Sequence, residues 1–164
     1  MRAFDPLPLL GALHRHGVAF VLIGGVAGIA LGSSLATFDL DICYERSRPN
    51  LERLARALQE LHATLRGAPP DLPFRLDART LAAGDSFTFS TDAGDLDCLG
   101  TPTGTAGYDE LVRNAIDLTI ADMKVKVASL EDLIRMKRAA GRPKDRAALE
   151  ILRALRDEID GQRA

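Results

Sequence analysis

Apolar residues recur along this chain with two periods, and the switches between them outline its elements. Residues 19–23 form an unbroken apolar run, as expected of a buried strand. Residues 38–44 alternate instead, with Asp39 and Asp41 on one face and Leu40 and Ile42 on the other. Leu51, Leu54, Leu58 and Leu61 recur at helical spacing, with Asn50 expected to cap that helix. Asp5-Pro6 reads as the cap and first residue of an opening helix that ends near Gly17. A short helix follows Gly24-Gly25 and ends around Gly32, and Gly67 to Pro70 is a loop. Strands 86–90 and 95–99 flank Thr91-Asp-Ala-Gly94, and strands 116–120 and 123–128 flank Ala121-Asp122, giving two hairpins with a helix at 108–114 between them. Ser129 and Asp132 resemble a capping box opening a helix to Ala140. Gly141 ends it, and Pro143 starts a last helix to about Ile159. The order predicts a mixed α/β (α+β) domain with a largely hairpin-connected sheet.

With 164 residues, 46% of them hydrophobic and 27% charged, the chain suits one globular domain. The expected division is a core at about 18–128 and a basic helix pair at about 129–160. No apolar run approaches the ~20 residues of a membrane span. The N-terminus lacks a signal-peptide pattern. Cys43 and Cys98 match no zinc spacing and read as reduced core thiols, so a cytoplasmic location is expected. The net charge of −2 hides an asymmetry: residues 123–164 carry 11 Lys and Arg against 7 Asp and Glu. An acidic body with a basic C-terminal part suits metal on one side and polyphosphate on the other.

Four features carry candidate chemistry. Asp39 and Asp41 lie about 7 Å apart on one strand face, where like charges favour a hard divalent cation such as Mg²⁺ between them. Asp95-Leu-Asp97 repeats the pattern, and Asp97, deeper in its strand, is the better third carboxylate for a two-metal site. Gly24-Gly25, at a strand-to-helix turn, suits close approach of a phosphate. Leu130, Leu133, Ile134 and Lys137 fall at i, i+3, i+4 and i+7, which turns Lys137 inward. Lys144 is in register with Ala148, Ile151 and Leu155. Each inward lysine must snorkel or meet an anion, such as a nucleoside triphosphate. His14, His16 and His62 lie away from these motifs, and the serines lack a paired base for a hydrolase triad.

Together, Gly24-Gly25, thirteen intervening residues, Asp39-Leu-Asp41 and Asp97 resemble the nucleotidyltransferase-fold (DNA polymerase beta-like) superfamily. The block from Ser129 to Lys137 and on through Asp145 resembles its bacterial AbiEii-like, toxin–antitoxin-associated members. The resemblance implies the nucleotidyltransferase fold, a small mixed sheet flanked by helices with a C-terminal helix pair. It implies Mg²⁺- or Mn²⁺-dependent, ATP-type nucleotide binding, and transfer of a nucleoside monophosphate from an NTP to a hydroxyl on RNA, protein or a small molecule. Asp39, Asp41 and Asp97 would be the catalytic metal ligands. Gly24, Gly25 and Ser33 would line the phosphate cradle, and Lys137 and Lys144 would meet the triphosphate. Possible partners are a tRNA or protein acceptor and an antitoxin. Where many relatives carry an arginine before Asp-x-Asp, this chain has Leu35. A catalytically silent nucleotide- or RNA-binding module, or a component acting through a protein partner, is the alternative.

Overall fold

The computed structural model describes residues 3–163. Helix α1 (Leu7–Arg15) opens one residue later than the Asp-Pro pattern predicts, with Pro6 in the cap position. Asp5 still accepts from the Leu7 amide at 3.0 Å, as a capping side chain does. Then follow β1 (Phe20–Ile23), α2 (Gly24–Ala30), β2 (Asp39–Tyr44), α3 (Arg48–Glu60), β3 (Thr64–Leu65), α4 (Ala78–Ala83), β4 (Ser86–Thr91) and β5 (Gly94–Leu99). The second half holds α5 (Tyr108–Asn114), β6 (Ile116–Ile120), β7 (Met123–Val127), α6 (Leu130–Ala140) and α7 (Pro143–Arg163). The chain is thus a mixed α/β structure. Strand β3 and helix α4 are absent from the sequence reading, and α7 runs a turn further than expected.

The strands form one sheet in the order β3-β4-β5-β2-β1-β7-β6. Tight turns join β4 to β5 and β6 to β7, as the turn residues predict. The centre is less local than a hairpin sheet: β1 runs parallel to β7, and β2 parallel to β5. That second pairing sets the two acidic motifs in register, Asp39 opposite Asp95 and Asp41 opposite Asp97. Alternation does the rest. Leu40, Ile42, Leu96 and Cys98 point into the core with Phe89 of β4, and the aspartates point out of it. Cys43 and Cys98 are both buried free thiols, and burial raises the pKa of each. No helix among the described residues is long and apolar enough to cross a membrane.

Two polar residues hold the frame from inside. Ser47, not Asn50, caps α3, accepting from the Asn50 amide. Asn50 is fully buried in the first turn. Its Oδ1 accepts from the Ala19 amide at 2.7 Å, and its Nδ2 donates to the carbonyls of Ala19 at 2.9 Å and Glu45 at 2.7 Å. One side chain thereby ties α3 to the entry of β1 and the exit of β2. The second is Asp145, third residue of α7 and 1% exposed. Its carboxylate accepts from the Arg142 amide at 3.1 Å, which closes the start of α7, and from Arg142 Nε at 2.6 Å. It also pairs with Lys137 of α6 at 3.3 Å. These bonds lower its pKa to about 2, chiefly through Arg142. With Gly141 in the left-handed conformation at the end of α6, they fix the angle between α6 and α7.

Asn50→Ala leaves the Ala19 amide and the Glu45 carbonyl short of a partner in the interior. The expected loss is about 3 kcal/mol of unfolding free energy, since each buried group left unsatisfied costs about 1–3 kcal/mol. Asn50→Asp, which removes both donors, should cost at least as much. Urea unfolding of the two variants checks this, and wild-type midpoints would reject the tie.

Candidate metal and nucleotide site

Asp39 and Asp41 leave β2 on the face opposite the core, and Asp97 leaves β5 beside them. Each offers one carboxylate oxygen, and the three oxygens lie within 4.8 Å of one another. Asp95, though opposite Asp39, faces Arg66 and does not join this cluster among the described residues. Burial is the main cause that raises the pKa of Asp39, with the nearby charge of Asp97 next. Asp41 lies deeper: burial, then the charges of Asp39 and Asp97, raise its pKa to about 8, against a lowering by Lys137. Both groups therefore hold their protons more readily than a carboxyl group in water.

The glycines answer to this crowding. Gly24 has a φ of +71°, and a side chain there would run into the Asp41 carboxylate. A Cβ on Gly25 would sit 2.7 Å from Thr37 Oγ1, which itself donates to the Asp39 carbonyl at 3.1 Å. The Gly-Gly pair is thus what lets β1 end directly against the acidic strand.

Above the acidic face lies a cleft of about 850 Å³. Its floor is Asp39, Asp41, Asp95 and Asp97, one end is Gly24-Gly25, and its far wall comes from α6 and α7. Lys137, Arg142 and Lys144 all line that wall. Lys137 faces inward as its spacing predicts, but its anion within the chain is Asp145. Lys144 lies at the cleft but is exposed, because the buried stripe of α7 runs one position later, through Asp145 and Leu152. Ser33 is absent from the cleft lining. Its Oγ accepts from the Leu35 amide at 3.1 Å. Phe38, whose apolar character suggests a central strand, precedes β2 and stands 79% exposed at the cleft rim.

Sequence reasoning missed Arg66. It follows β3, and its Nη2 donates to Asp97 Oδ1 at 2.7 Å and to the Phe89 carbonyl at 2.8 Å. Its Nε lies 3.3 Å from Asp95 Oδ2. Arg135, which the helical wheel places away from the cleft, bridges Glu110 at 2.5 Å and Asp132 at 3.1 Å, joining α5 to α6.

No protein-family model matches this chain, and no curated protein matches it in sequence. Solved structures do match its fold. The lincomycin-bound lincosamide antibiotic adenylyltransferase LnuA superposes with a TM-score of 0.60 at 13% identity, over 94% of this chain and 99% of its own. A Thermotoga maritima protein classed as a nucleotidyltransferase gives 0.55 at 15% identity, over 88% and 87%. The antibiotic-resistance factor ANT(2'')-Ia gives 0.53 at 16%, over 94% and 88%. The chain has the nucleotidyltransferase fold.

A pH experiment probes the crowding. Asp41 titrates near 8 in the folded protein and near the ordinary carboxylate value of 3.8 when unfolded. A raised acid favours the folded state below the unfolded value, and that contribution is lost as pH rises through the folded one. Asp41→Asn cannot ionise and escapes the loss. In chelator-treated protein its stability relative to wild type should therefore climb between about pH 4 and pH 8, by at most about 1.4 kcal/mol per unit, then level off. Parallel melting curves for the two proteins across that range would reject the assignment.

Proposed function

We propose that this chain is a nucleotidyltransferase that moves a nucleoside monophosphate from a nucleoside triphosphate to a hydroxyl acceptor, releasing pyrophosphate. The observation that carries the reading is the meeting of Asp39, Asp41 and Asp97 on one open sheet face, under a wall of basic side chains. The donor set is three carboxylates with neither sulfur nor imidazole, which fits Mg²⁺ or Mn²⁺. Divalent ions bound there would neutralise the triphosphate and polarise the phosphorus that is attacked.

The chain's own groups take the remaining roles. Asp39 and Asp41 hold the metal side of the cleft. Asp97 orients the acceptor hydroxyl and takes its proton as the oxygen bonds to the α-phosphorus. The bond from that phosphorus to the β-phosphate oxygen breaks, and pyrophosphate carries away the electron pair. Gly24 and Gly25 leave the backbone open to the phosphates. Lys137 is free to turn toward the triphosphate because Arg142 still pairs with Asp145 through three contacts. Lys144, already exposed at the cleft, is the second cation. Charge placement and positioning supply the catalysis. The likeness to a lincosamide adenylyltransferase over 94% of the chain supports a small hydroxylated molecule as acceptor, ahead of a tRNA end or a protein.

The test is pyrophosphate release from each of four NTPs with Mg²⁺, against panels of small hydroxylated molecules, RNA and protein. Asp39→Asn, Asp41→Asn and Asp97→Asn should each cut turnover by about 10²–10³-fold or more, the scale for losing one element of preorganised electrostatics. Asp95→Asn should stay within about tenfold of wild type. Mg²⁺ with ATP should also raise the melting temperature of wild type and not of Asp41→Asn. Nucleotide binding with no release in any panel would favour a silent binding module.

A further inference from the structure

We propose that Arg66 is the positioning residue of the third carboxylate, holding Asp97 in the orientation a divalent cation requires. The proposal rests on reading the aspartate cluster as a metal site. β3 has two residues, yet it pairs with β4, and the Arg66 amide donates to the Thr88 carbonyl at 2.9 Å. Thr88 lies opposite Asp97, and Asp97 opposite Asp41. Arg66, one residue past β3, thus ends a row that runs through β4 and β5 to β2 and finishes at the acidic cluster.

Its contacts favour holding over plugging. The Nη2 that meets Asp97 Oδ1 is anchored on the Phe89 carbonyl, so the guanidinium is fixed to the frame. Arg66 engages only Oδ1, and a carboxylate has about four acceptor sites. The other oxygen stays available to a cation. Among the described residues, Arg66 alone forms an ion pair with the cluster. Lys137, on the far wall of the cleft, is drawn to Asp145 instead. Among the described residues, no other side chain donates to the Asp97 carboxylate, so without Arg66 its orientation loses its anchor. Second contacts of this kind to a metal ligand set metal affinity, and losing one costs about 10–100-fold.

The sign of the effect separates positioning from charge. A guanidinium acting only by its charge repels a metal ion, so its removal would tighten binding. A positioning guanidinium does the opposite. Mn²⁺ titration of the full chain, followed by electron paramagnetic resonance, reads this without turnover. Arg66→Met should bind Mn²⁺ about 10-fold more weakly. In an Asp97→Asn background the same change should have no further effect. Arg66→Lys keeps the charge but loses the planar fork, and it should also bind more weakly. That variant decides the question if Arg66→Met does not fold. Wild-type or tighter affinity in the Arg66 variants would overturn the proposal, as would an undiminished Arg66→Met effect beside Asp97→Asn. A wild-type chain that binds no Mn²⁺, or binds it as Asp41→Asn does, would overturn the metal reading itself.

Discussion

Three carboxyl groups share one face of two adjacent parallel strands, and the rest of the molecule is arranged to hold them there. The in-register pairing of β2 with β5 sets the spacing, since each aspartate of one motif stands opposite one of the other. A sheet can impose this because its opposite face is apolar and closed. Leu40, Ile42, Leu96 and Cys98 are fully buried directly beneath the carboxylates. The burial that stabilises the core is also what raises the pKa values of Asp39 and Asp41. Ionising these carboxyl groups is therefore less favourable here than in water, and a cation bound beside them would offset that cost.

The basic groups around the cleft are held by the same logic with the sign reversed. Lys137 and Arg142 converge on one buried carboxylate, Asp145, which also closes the start of α7. Two cations on one anion leave the wall with spare positive charge. Arg142 makes the shorter contacts, so Lys137 can be redirected without orphaning Asp145. On the opposite side Arg66 divides itself between Asp95, Asp97 and a backbone carbonyl. One arginine fixes the acidic side, and one aspartate fixes the basic side.

What was legible in the sequence was local. Asp39-Leu-Asp41 could be read because a strand has a period of two, and Asp97 could be preferred over Asp95 because it lies deeper in the same short pattern. Both hairpins were written in their turn residues. Asp145 was hidden by the helical period itself. Apolar residues at Ala148, Ile151 and Leu155 support a stripe beginning at Lys144, whereas the true stripe opens with a charged residue that no apolar count would include. Asn50 looked like a cap because Asn is a capping residue, but Ser47 three positions earlier does that work. Phe38 shows the same limit, since an apolar residue beside a strand carries no mark of its exposure. Arg66 left no signal at all. Its significance comes from a row that starts just past β3 and runs through β4 and β5 to β2, and a two-residue strand has no periodicity to read.

The Gly24-Gly25 pair shows why the steric and functional readings of a motif need not compete. On steric grounds alone the pair is required, because side chains there would meet Asp41 and Thr37. That same closeness puts two unshielded peptide units at the end of the cleft, beside the deepest carboxylate. Any ligand that binds a cation at Asp41 therefore meets bare backbone next to it, with no side chain intervening. A turn built of larger residues would push β2 away and open a gap between backbone and metal side together. The glycines hold the acidic strand close, and in the proposed function the same contact shapes the place where a phosphate would lie.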